Sequence, residues 1–274
     1  MHITIGMDPN ILQVGSFTLA WHGVAIALAI VVAVAVIYRQ FIANGLPIDR
    51  FESLAFWTVV GGIVGARLFY VIDLNHLSYM IHHPLQIFAL QQGGLAIYGA
   101  VFGGFVAVAI LTQVYRYPFG RVVDAIAPGL LLAQAFGRLG CLINGDAWGA
   151  PTSSPFALIY TNPKDLIPAN LLGVPTTPYP IYDALLNLAI LFVIWRLARL
   201  HLRDGTVFAV FAAVYAVGRF FVTYLRQEYV WFWGLQEAQV FSLVAFVLAV
   251  AALGWLVLRR TPTATMTTAT GIGD

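Results

Sequence analysis

Residues 122–149 read VVDAIAPGLLLAQAFGRLGCLINGDAWG, an apolar run that ends in glycines and an Asn-Gly-Asp turn. The segment 122–143 is long enough to cross the hydrocarbon core of a bilayer. Its one basic side chain, Arg138, is therefore either exposed to lipid, which is costly, or part of a site that requires a permanent positive charge. This stretch predicts a transmembrane helix with a functional site at its end.

The composition of the chain indicates an integral membrane protein. Of its 274 residues, 60% are hydrophobic and 9% are charged, and the mean hydropathy is +0.84, so polar side chains cannot cover a soluble globule. The net charge of +2 gives no indication of nucleic acid as a partner. The single Cys141 excludes an internal disulfide, and the six scattered His complete no metal-ligand spacing, so we expect no bound metal. We also expect no cleavable signal peptide, because no basic segment precedes the first apolar run.

Seven apolar stretches have roughly the 20-residue length that a bilayer core requires. They cover residues 17–38, 54–72, 94–114, 122–143, 181–197, 206–225 and 239–258. We therefore predict an all-α integral membrane protein with seven transmembrane helices, forming one transmembrane domain over residues 1–260. Loops at 73–93 and 144–180 connect the helices on one face, and the polar segment 261–274 is expected to be a disordered tail.

The basic residues predict the orientation of the helices. Nine of the 14 Lys and Arg residues flank alternate loops and the end of the last stretch, whereas Lys164 and Arg226 lie on the opposite side. By the positive-inside rule, the N-terminus is outside and the C-terminus is cytoplasmic. The loops 73–93 and 144–180 then lie on the outer face, and loops of this length in compact proteins are typically functional.

Three further arginines lie within or at the edge of the apolar stretches: Arg67, Arg138 and Arg219. Arg67 either snorkels to the interface, pairs with Asp73 or binds a ligand. Arg219 lies about two turns from the outer end, too deep for comfortable snorkelling, which favours a functional role. Buried guanidiniums with few carboxylates nearby need an anion, and the abundant anion of a membrane is the lipid phosphate.

The glycines fall into groups with different expected roles. Those of residues 61–65 and 93–104 recur at i and i+4, a spacing typical of helices that approach closely in lipid. Gly93 and Gly94 follow two glutamines at the outer membrane edge, where an open backbone is also suited to face a ligand. The glycines of residues 137–149 offer backbone N–H groups beside Arg138.

Residues 137–149 resemble the signature Gly-Arg-x-Gly-Asn-Phe-x-Asn-Gly-Glu-x-x-Gly of the bacterial prolipoprotein diacylglyceryl transferase family. Other matches keep the order of the family, so the resemblance spans nearly all of residues 15–258. They are Trp21-His22-Gly23, residues 65–70 (GARLFY), 93–99 (GGLAIYG) and 218–222 (GRFFV), Tyr182-Asp183 and Gln239.

The resemblance implies transfer of the diacylglyceryl group of phosphatidylglycerol onto the lipobox cysteine of a preprolipoprotein, with release of glycerol phosphate. It implies an active site that faces the outer leaflet of the bacterial cytoplasmic membrane. We expect no cofactor. Arg138 and Arg219 suit the departing phosphate, because they stay ionised at any depth and can grip phosphate oxygens in a bidentate fork. We expect the two side chains to meet around one lipid headgroup. Further substrate contacts are expected from Arg67, Gly93, Gly94, Asn144, Asp146 and Gly149.

A general base would raise the thiolate fraction of the substrate cysteine, whose free pKa is about 8.5. The family often has His where this chain has Tyr98, which either orients the headgroup, relays a proton or is an interfacial aromatic. His22 stands at a family Tyr, and it either supplies the missing imidazole or is simply hydrogen-bonded at the edge of the span. Because the substrate brings the nucleophile, we expect Cys141 to be a small packing residue.

The chain departs from the family pattern at charged positions, and it is identified as a divergent member. Cys141 replaces an Asn, Asp146 replaces a Glu, and Thr223 replaces a Glu that would partner an arginine. Either the positive field is less compensated here, or Asp146 or Asp183 takes over.

Two other functions compete with the transferase. A lipid or small-anion transporter, or a non-catalytic phospholipid-binding relative, would use the same arginines, although no inverted repeat is visible. An ordinary structural membrane protein leaves the clustered Arg138, Asn144 and Asp146 unexplained.

Overall fold

The computed structural model describes residues 2–15, 17–72, 78, 81–88, 93–200, 202–228, 230–231 and 233–258. Within these ranges, seven helices are long and apolar enough to cross a membrane. They are α1 (Trp21–Ala43), α2 (Phe51–Ile72), α3 (Ile97–Val114), α4 (Phe119–Asn144), α5 (Tyr179–Leu197), α6 (Thr206–Thr223) and α7 (Glu237–Leu258). Each corresponds to one predicted stretch, so the prediction of seven spans is confirmed. The predicted tail, 261–274, lies outside the described residues.

The start of the first span differs from the prediction. The first four residues of the predicted stretch 17–38 form strand β3 (Phe17–Ala20), which pairs antiparallel with β2 (Asn10–Val14). The backbone N–H of Trp21 then bonds to the Pro9 carbonyl over 3.0 Å. The β2–β3 hairpin therefore satisfies the backbone groups of residues that hydropathy alone assigns to a helix.

Glycines let α2 and α3 pack backbone against backbone, as their spacing predicted. A Cβ atom placed on Gly65 would lie 2.3 Å from the Gly99 carbonyl oxygen, and one on Gly103 would lie 2.3 Å from the Gly61 oxygen. Any side chain at these positions would force the helices apart. The remaining helices pack as α1 on α4, α5 on α4 and α6, and α7 on α6.

Consecutive helices run in opposite directions, so alternate helix ends meet at one face. There the N–H of Ala96, before α3, bonds to the Ala66 carbonyl near the end of α2 over 3.1 Å. The Gln239 amide, at the start of α7, donates to the Phe220 carbonyl near the end of α6 over 3.3 Å. We call this side the loop face, because the longest loop lies here.

The loop after α4 packs its own small core against the loop face. Strand β4 (Leu158–Tyr160) pairs in parallel with the N-terminal β1 (Ile3–Ile5), and a 3₁₀ turn follows at Ala169–Leu171. Burial raises the pKa of the Tyr160 hydroxyl, which stays protonated and donates to the Leu142 carbonyl of α4 over 3.1 Å. This bond ties the loop to the helix that carries Arg138.

Candidate active site

Arg138 on α4 and Arg219 on α6 meet at one carboxylate, that of Asp183 on α5. Arg138 Nε and Arg219 Nη1 both donate to Asp183 Oδ2, the second over 3.1 Å. The Asp183 side chain is 1% exposed, and those of Arg138 and Arg219 are 17% and 13% exposed. Removal of these charges from water is costly, and their mutual pairing offsets that cost. The two guanidiniums that were expected to converge therefore do so, around a protein carboxylate.

Tyr179, at the start of α5, is an aromatic support for this cluster. Its side chain is fully buried, and its hydroxyl accepts a hydrogen bond from Arg219 Nη1. Three guanidinium carbons lie near its ring centroid, that of Arg138 at 5.4 Å, that of Arg226 at 5.5 Å and that of Arg219 at 5.8 Å. The negative face of the ring favours these cations, so Tyr179 helps to hold them close together.

Asp183 does not fully compensate the two guanidiniums that it pairs with. Arg226 forms an ion pair with Glu228, with Nη1 and Oε1 2.6 Å apart. Arg138 and Arg219 share the single negative charge of Asp183, which leaves one positive charge. Thr223, at the family Glu position, is buried and donates to the Arg219 carbonyl over 2.6 Å. Of the two carboxylates that were considered as replacements for that Glu, Asp183 is the one that pairs with both arginines.

A cavity of about 270 Å³ opens beside Arg219. Polar and charged side chains on its wall include those of Tyr98, Arg219, Arg226, Glu228 and Glu237. The Tyr98 ring stacks on Phe241, with centroids 3.8 Å apart and an interplanar angle of 17°. Arg138 is not part of this wall. The structure therefore places Tyr98 and Arg219 on the wall of one cavity, and Arg138 reaches this group through the Asp183 carboxylate that it shares with Arg219.

Arg67 has a different set of partners. It is 7% exposed, and it donates to the carbonyls of Gln86, Ile87, Gly93 and Gly94, three of them over 2.7 to 2.9 Å. These bonds hold the segment before α3 on the end of α2. Of its two predicted structural roles, snorkelling does not fit this burial, and Asp73 lies outside the described residues.

Gly93 and Gly94 accept two of these bonds through their carbonyls. We call the four bonds from Arg67 the Arg67 clamp. Both glycines have positive φ, +81° and +76°, and a Cβ on Gly94 would lie 2.5 Å from the Tyr70 ring and 2.7 Å from Arg67 Nη1. A side chain at Gly94 is thus excluded by conformation and by space. Their expected contact with a ligand stays a prediction.

The segment after α4 positions Arg226. Gly149 forms a β-bridge with Arg226, and a Cβ on Gly149 would lie 2.6 Å from the Leu225 carbonyl oxygen. Arg226 Nη2 also approaches the Asp146 carbonyl at 3.5 Å. The Asn144 carbonyl, at the end of α4, accepts a bond from the Leu166 N–H over 3.0 Å. These contacts explain the Asn-Gly-Asp turn as a support for the cluster, and direct substrate contacts of Asn144, Asp146 and Gly149 stay predictions.

His22 lies on the Arg138 side of the cluster, at the start of α1. A Cβ on Gly140 would lie 3.1 Å from His22 Nδ1, so α1 and α4 touch at this point. Cys141 Sγ lies 3.5 Å from Arg138 Nη1. A His22 ring nitrogen, Cys141 Sγ and an Asp146 carboxylate oxygen all lie within 4.8 Å of one another. The two candidates for proton transfer thus occupy different sides, His22 near Arg138 and Tyr98 near Arg219.

Two residues of the cluster were not singled out from the sequence. Tyr179 precedes Asp183 by four residues, which places both on one face of α5. Arg226 follows Arg219 by seven residues, and in a continuous helix this two-turn spacing places both on one face. The helix α6 ends earlier, at Thr223. These spacings were the available signals.

Comparisons with known proteins show which family this chain resembles. The sequence profile of the family described as prolipoprotein diacylglyceryl transferase matches residues 9–255. The chain is 35% identical over 262 residues to a Nostoc protein named phosphatidylglycerol–prolipoprotein diacylglyceryl transferase, covering 93% of this chain and 91% of that one. Proteins of the same name from Thermosynechococcus vestitus and Limosilactobacillus reuteri are 36% and 33% identical, over 86% and 94% of this chain and 88% and 93% of theirs.

Proposed function

The chain belongs to the prolipoprotein diacylglyceryl transferase family, and we propose that Arg138 and Arg219 bind the phosphate of its lipid substrate. The reaction transfers the diacylglyceryl group of phosphatidylglycerol to a prolipoprotein. The observation that carries the proposal is the convergence of both guanidiniums on Asp183 Oδ2. Asp183 uses one N–H of each guanidinium, which has five, so other donors are available to phosphate oxygens.

The summed charge of Arg138, Arg219 and Asp183 matches the charge of the substrate headgroup. A phosphodiester headgroup carries one negative charge, which neutralises the one positive charge of Arg138, Arg219 and Asp183. When the substrate thiolate attacks the glyceryl carbon, a C–S bond forms and the C–O bond to phosphate breaks. The electron pair of that bond stays on the phosphate, which becomes a monoester with a second negative charge. Fixed guanidiniums in a site with little water stabilise this developing charge.

The thiol proton is accepted by His22 in this proposal. Its Nδ1 is buried and forms no hydrogen bond with any described residue, so in the Nε2–H tautomer this nitrogen can accept the proton of a thiol that approaches Arg138. Tyr98 orients the headgroup from the cavity beside Arg219, where its ring is held by Phe241. The glycerol hydroxyls of the headgroup then lie near Glu228 and Glu237 on the same wall.

A reporter assay tests the activity. Cells depleted of their own transferase would express this chain together with a lipobox reporter, and mass spectrometry would follow the reporter. We expect the mass of one diacylglyceryl group to be added, and glycerol phosphate to be released from phosphatidylglycerol vesicles in the purified reaction. Cys141→Ala is the matched control, because the substrate supplies the attacking thiol. Folded wild-type chain that leaves the reporter unmodified would remove the proposal.

The chain is a multi-pass membrane protein, and we place it in the cytoplasmic membrane as one domain of residues 1–260, with the loop face outside. The uneven distribution of basic residues supports this orientation. In a Cys141→Ala background, single cysteines at Lys164 and at Arg199 would be treated with a membrane-impermeant maleimide. We expect labelling of Lys164→Cys in intact cells, and labelling of Arg199→Cys only after permeabilisation. The reverse pattern would invert the orientation.

A further inference from the structure

Three side chains from separate parts of the chain form a compact donor set at the loop face. His22 belongs to α1, Cys141 to α4 and Asp146 to the turn after α4, and one ligand atom of each lies within 4.8 Å of the other two. Gly140 makes this possible, because a Cβ there would lie 2.9 Å from the Ala25 side chain and 3.1 Å from the His22 Cα. The two helices therefore hold the donors in place through their backbones. No metal-ligand spacing is visible along the sequence, because His22 and Cys141 are 119 positions apart.

Two of these donors have unmet hydrogen-bonding capacity. His22 Nδ1 and Asp146 Oδ1 are buried, and neither forms a hydrogen bond with a described residue. Buried polar atoms without a partner are rare and costly in folded proteins, so each needs an explanation. The third donor, Cys141, is 8% exposed. A ligand that accepts electron pairs from imidazole, thiolate and carboxylate would satisfy all three.

We propose that His22, Cys141 and Asp146 bind a borderline divalent cation, of which Zn²⁺ is the representative probe. Imidazole nitrogen and thiolate sulfur favour Zn²⁺ over the hard cations Mg²⁺ and Ca²⁺, which prefer oxygen ligands only. A neutral imidazole, a thiolate, a carboxylate and a dication sum to zero charge, which suits a buried site. Arg138 Nη1, 3.5 Å from Cys141 Sγ, favours the thiolate that the ion requires, whereas burial and the nearby Asp146 carboxylate oppose it, so the charge of the ion itself must stabilise the thiolate.

The distances suit the ion after a small adjustment. Bond lengths of about 2.0 to 2.3 Å at a tetrahedral angle place neighbouring ligand atoms about 3.3 to 3.8 Å apart. The donors are at most 4.8 Å apart, so binding of the ion requires the side chains to approach one another by no more than about 1.0 to 1.5 Å. Three protein ligands leave a fourth position open to water or to a thiol.

Occupancy of the site would inhibit transfer, and this consequence rests on the proposed role of His22. An ion that uses the Nδ1 lone pair prevents that nitrogen from accepting the thiol proton. The binding claim itself does not depend on activity, because it concerns three donors and one ion. Failure of the transferase and failure of the metal site are therefore distinguishable.

Cobalt spectroscopy tests the binding claim on the purified full-length chain. Co²⁺ bound by a thiolate has a sulfur-to-metal charge-transfer band in the near ultraviolet, and the chain has one cysteine, so the band reports Cys141 alone. We expect one equivalent of Co²⁺ to produce the band and Zn²⁺ to abolish it. Cys141→Ala should lack the band while it keeps its melting temperature and its transferase activity. Absence of the band in the wild-type chain would overturn the site, even if Co²⁺ binds to other histidines.

Zinc inhibition tests the consequence. Zn²⁺ should inhibit transfer by the wild-type chain, and Cys141→Ala should need at least about tenfold more Zn²⁺ for the same inhibition, because loss of a ligand weakens binding. Equal sensitivity of the two proteins would show that the ion acts elsewhere. A wild-type enzyme that binds Co²⁺ through Cys141 and transfers at full rate would contradict the link to His22.

Discussion

Arg138 and Arg219 share one oxygen of Asp183, whereas Arg67 donates to four backbone carbonyls of residues 86–94. All three are arginines near the loop-face ends of apolar helices, and their sequence surroundings look alike. The difference lies in the charge of their partners. Carbonyls leave the charge of Arg67 uncompensated while they occupy most of its donors, which suits a structural clamp. One carboxylate between two guanidiniums leaves both charge and donors for an anion.

The contrast between Arg67 and the pair Arg138 and Arg219 fails most clearly if the pair is not needed for transfer. We expect Arg138→Ala and Arg219→Ala each to reduce the transfer rate by at least about 10²- to 10³-fold, because loss of one electrostatic donor to a developing oxyanion costs roughly 3–4 kcal/mol. The measurement is the initial rate of reporter modification at matched expression. Arg138→Lys and Arg219→Lys are the controls, because Lys keeps the positive charge but cannot bind phosphate in a bidentate fork. They should recover part of the rate. Near-normal rates in either Ala variant would place phosphate binding elsewhere.

Removal of the shared carboxylate tests whether Asp183 holds the pair. Asp183→Asn leaves two buried like charges without compensation, and breaking a buried ion pair costs about 3–5 kcal/mol. We therefore expect a lower melting temperature in detergent, together with a loss of transfer. In the double variant Asp183→Asn/Thr223→Glu, a carboxylate returns one turn from Arg219 and should restore part of the stability. Wild-type stability of Asp183→Asn would show that the pair is held by other contacts.

Substitution of Arg67 should mainly lower stability, whereas substitution of Arg138 should mainly lower the transfer rate. Arg67→Ala leaves four carbonyls without their donor, so we expect a loss of about 3 kcal/mol or more in stability. Faster proteolysis within residues 81–88 and a lower melting temperature would report it. The transfer rate of the protein that remains folded should fall far less than for Arg138→Ala. A stable Arg67→Ala variant without activity would assign Arg67 to substrate binding, as the sequence alone had allowed.

The glycines of the clamp provide the smallest and most closely matched test. Both have positive φ, so Ala at either position costs about 1 kcal/mol or more in strain. A Cβ on Gly93 meets nothing within 4 Å, whereas one on Gly94 meets Tyr70 and Arg67. We expect Gly94→Ala to lower the melting temperature clearly more than Gly93→Ala. Equal shifts would show that conformation alone, and not contact with Arg67, determines the role of Gly94.

The helices were predictable because each apolar stretch has the length of a bilayer and needs no partner to be recognised. The β2–β3 hairpin was not, since residues 17–20 are as apolar as the helix that follows and become a strand only by pairing with Asn10–Val14. Arg138 and Arg219 were predictable because a charge in an apolar run needs an explanation. The sequence left Asp146 and Asp183 as alternative partners for these arginines. Asp183 is the partner because α5 packs between α4 and α6.

Other parts of the site depend on tertiary structure alone. Arg67 has the sequence context of a ligand-binding arginine, and its clamp exists only because the segment before α3 returns to the end of α2. The approach of His22 to Cys141 depends on contact between the first and fourth helices. No local pattern encodes such contacts.

A structure of the chain with phosphatidylglycerol bound tests the central claim most directly. We predict one phosphate whose oxygens accept hydrogen bonds of about 2.8 Å from both Arg138 and Arg219, with the headgroup extending into the cavity beside Tyr98. A headgroup bound by Arg67 or by the rim of the cavity, with both arginines still paired only to Asp183, would contradict the account.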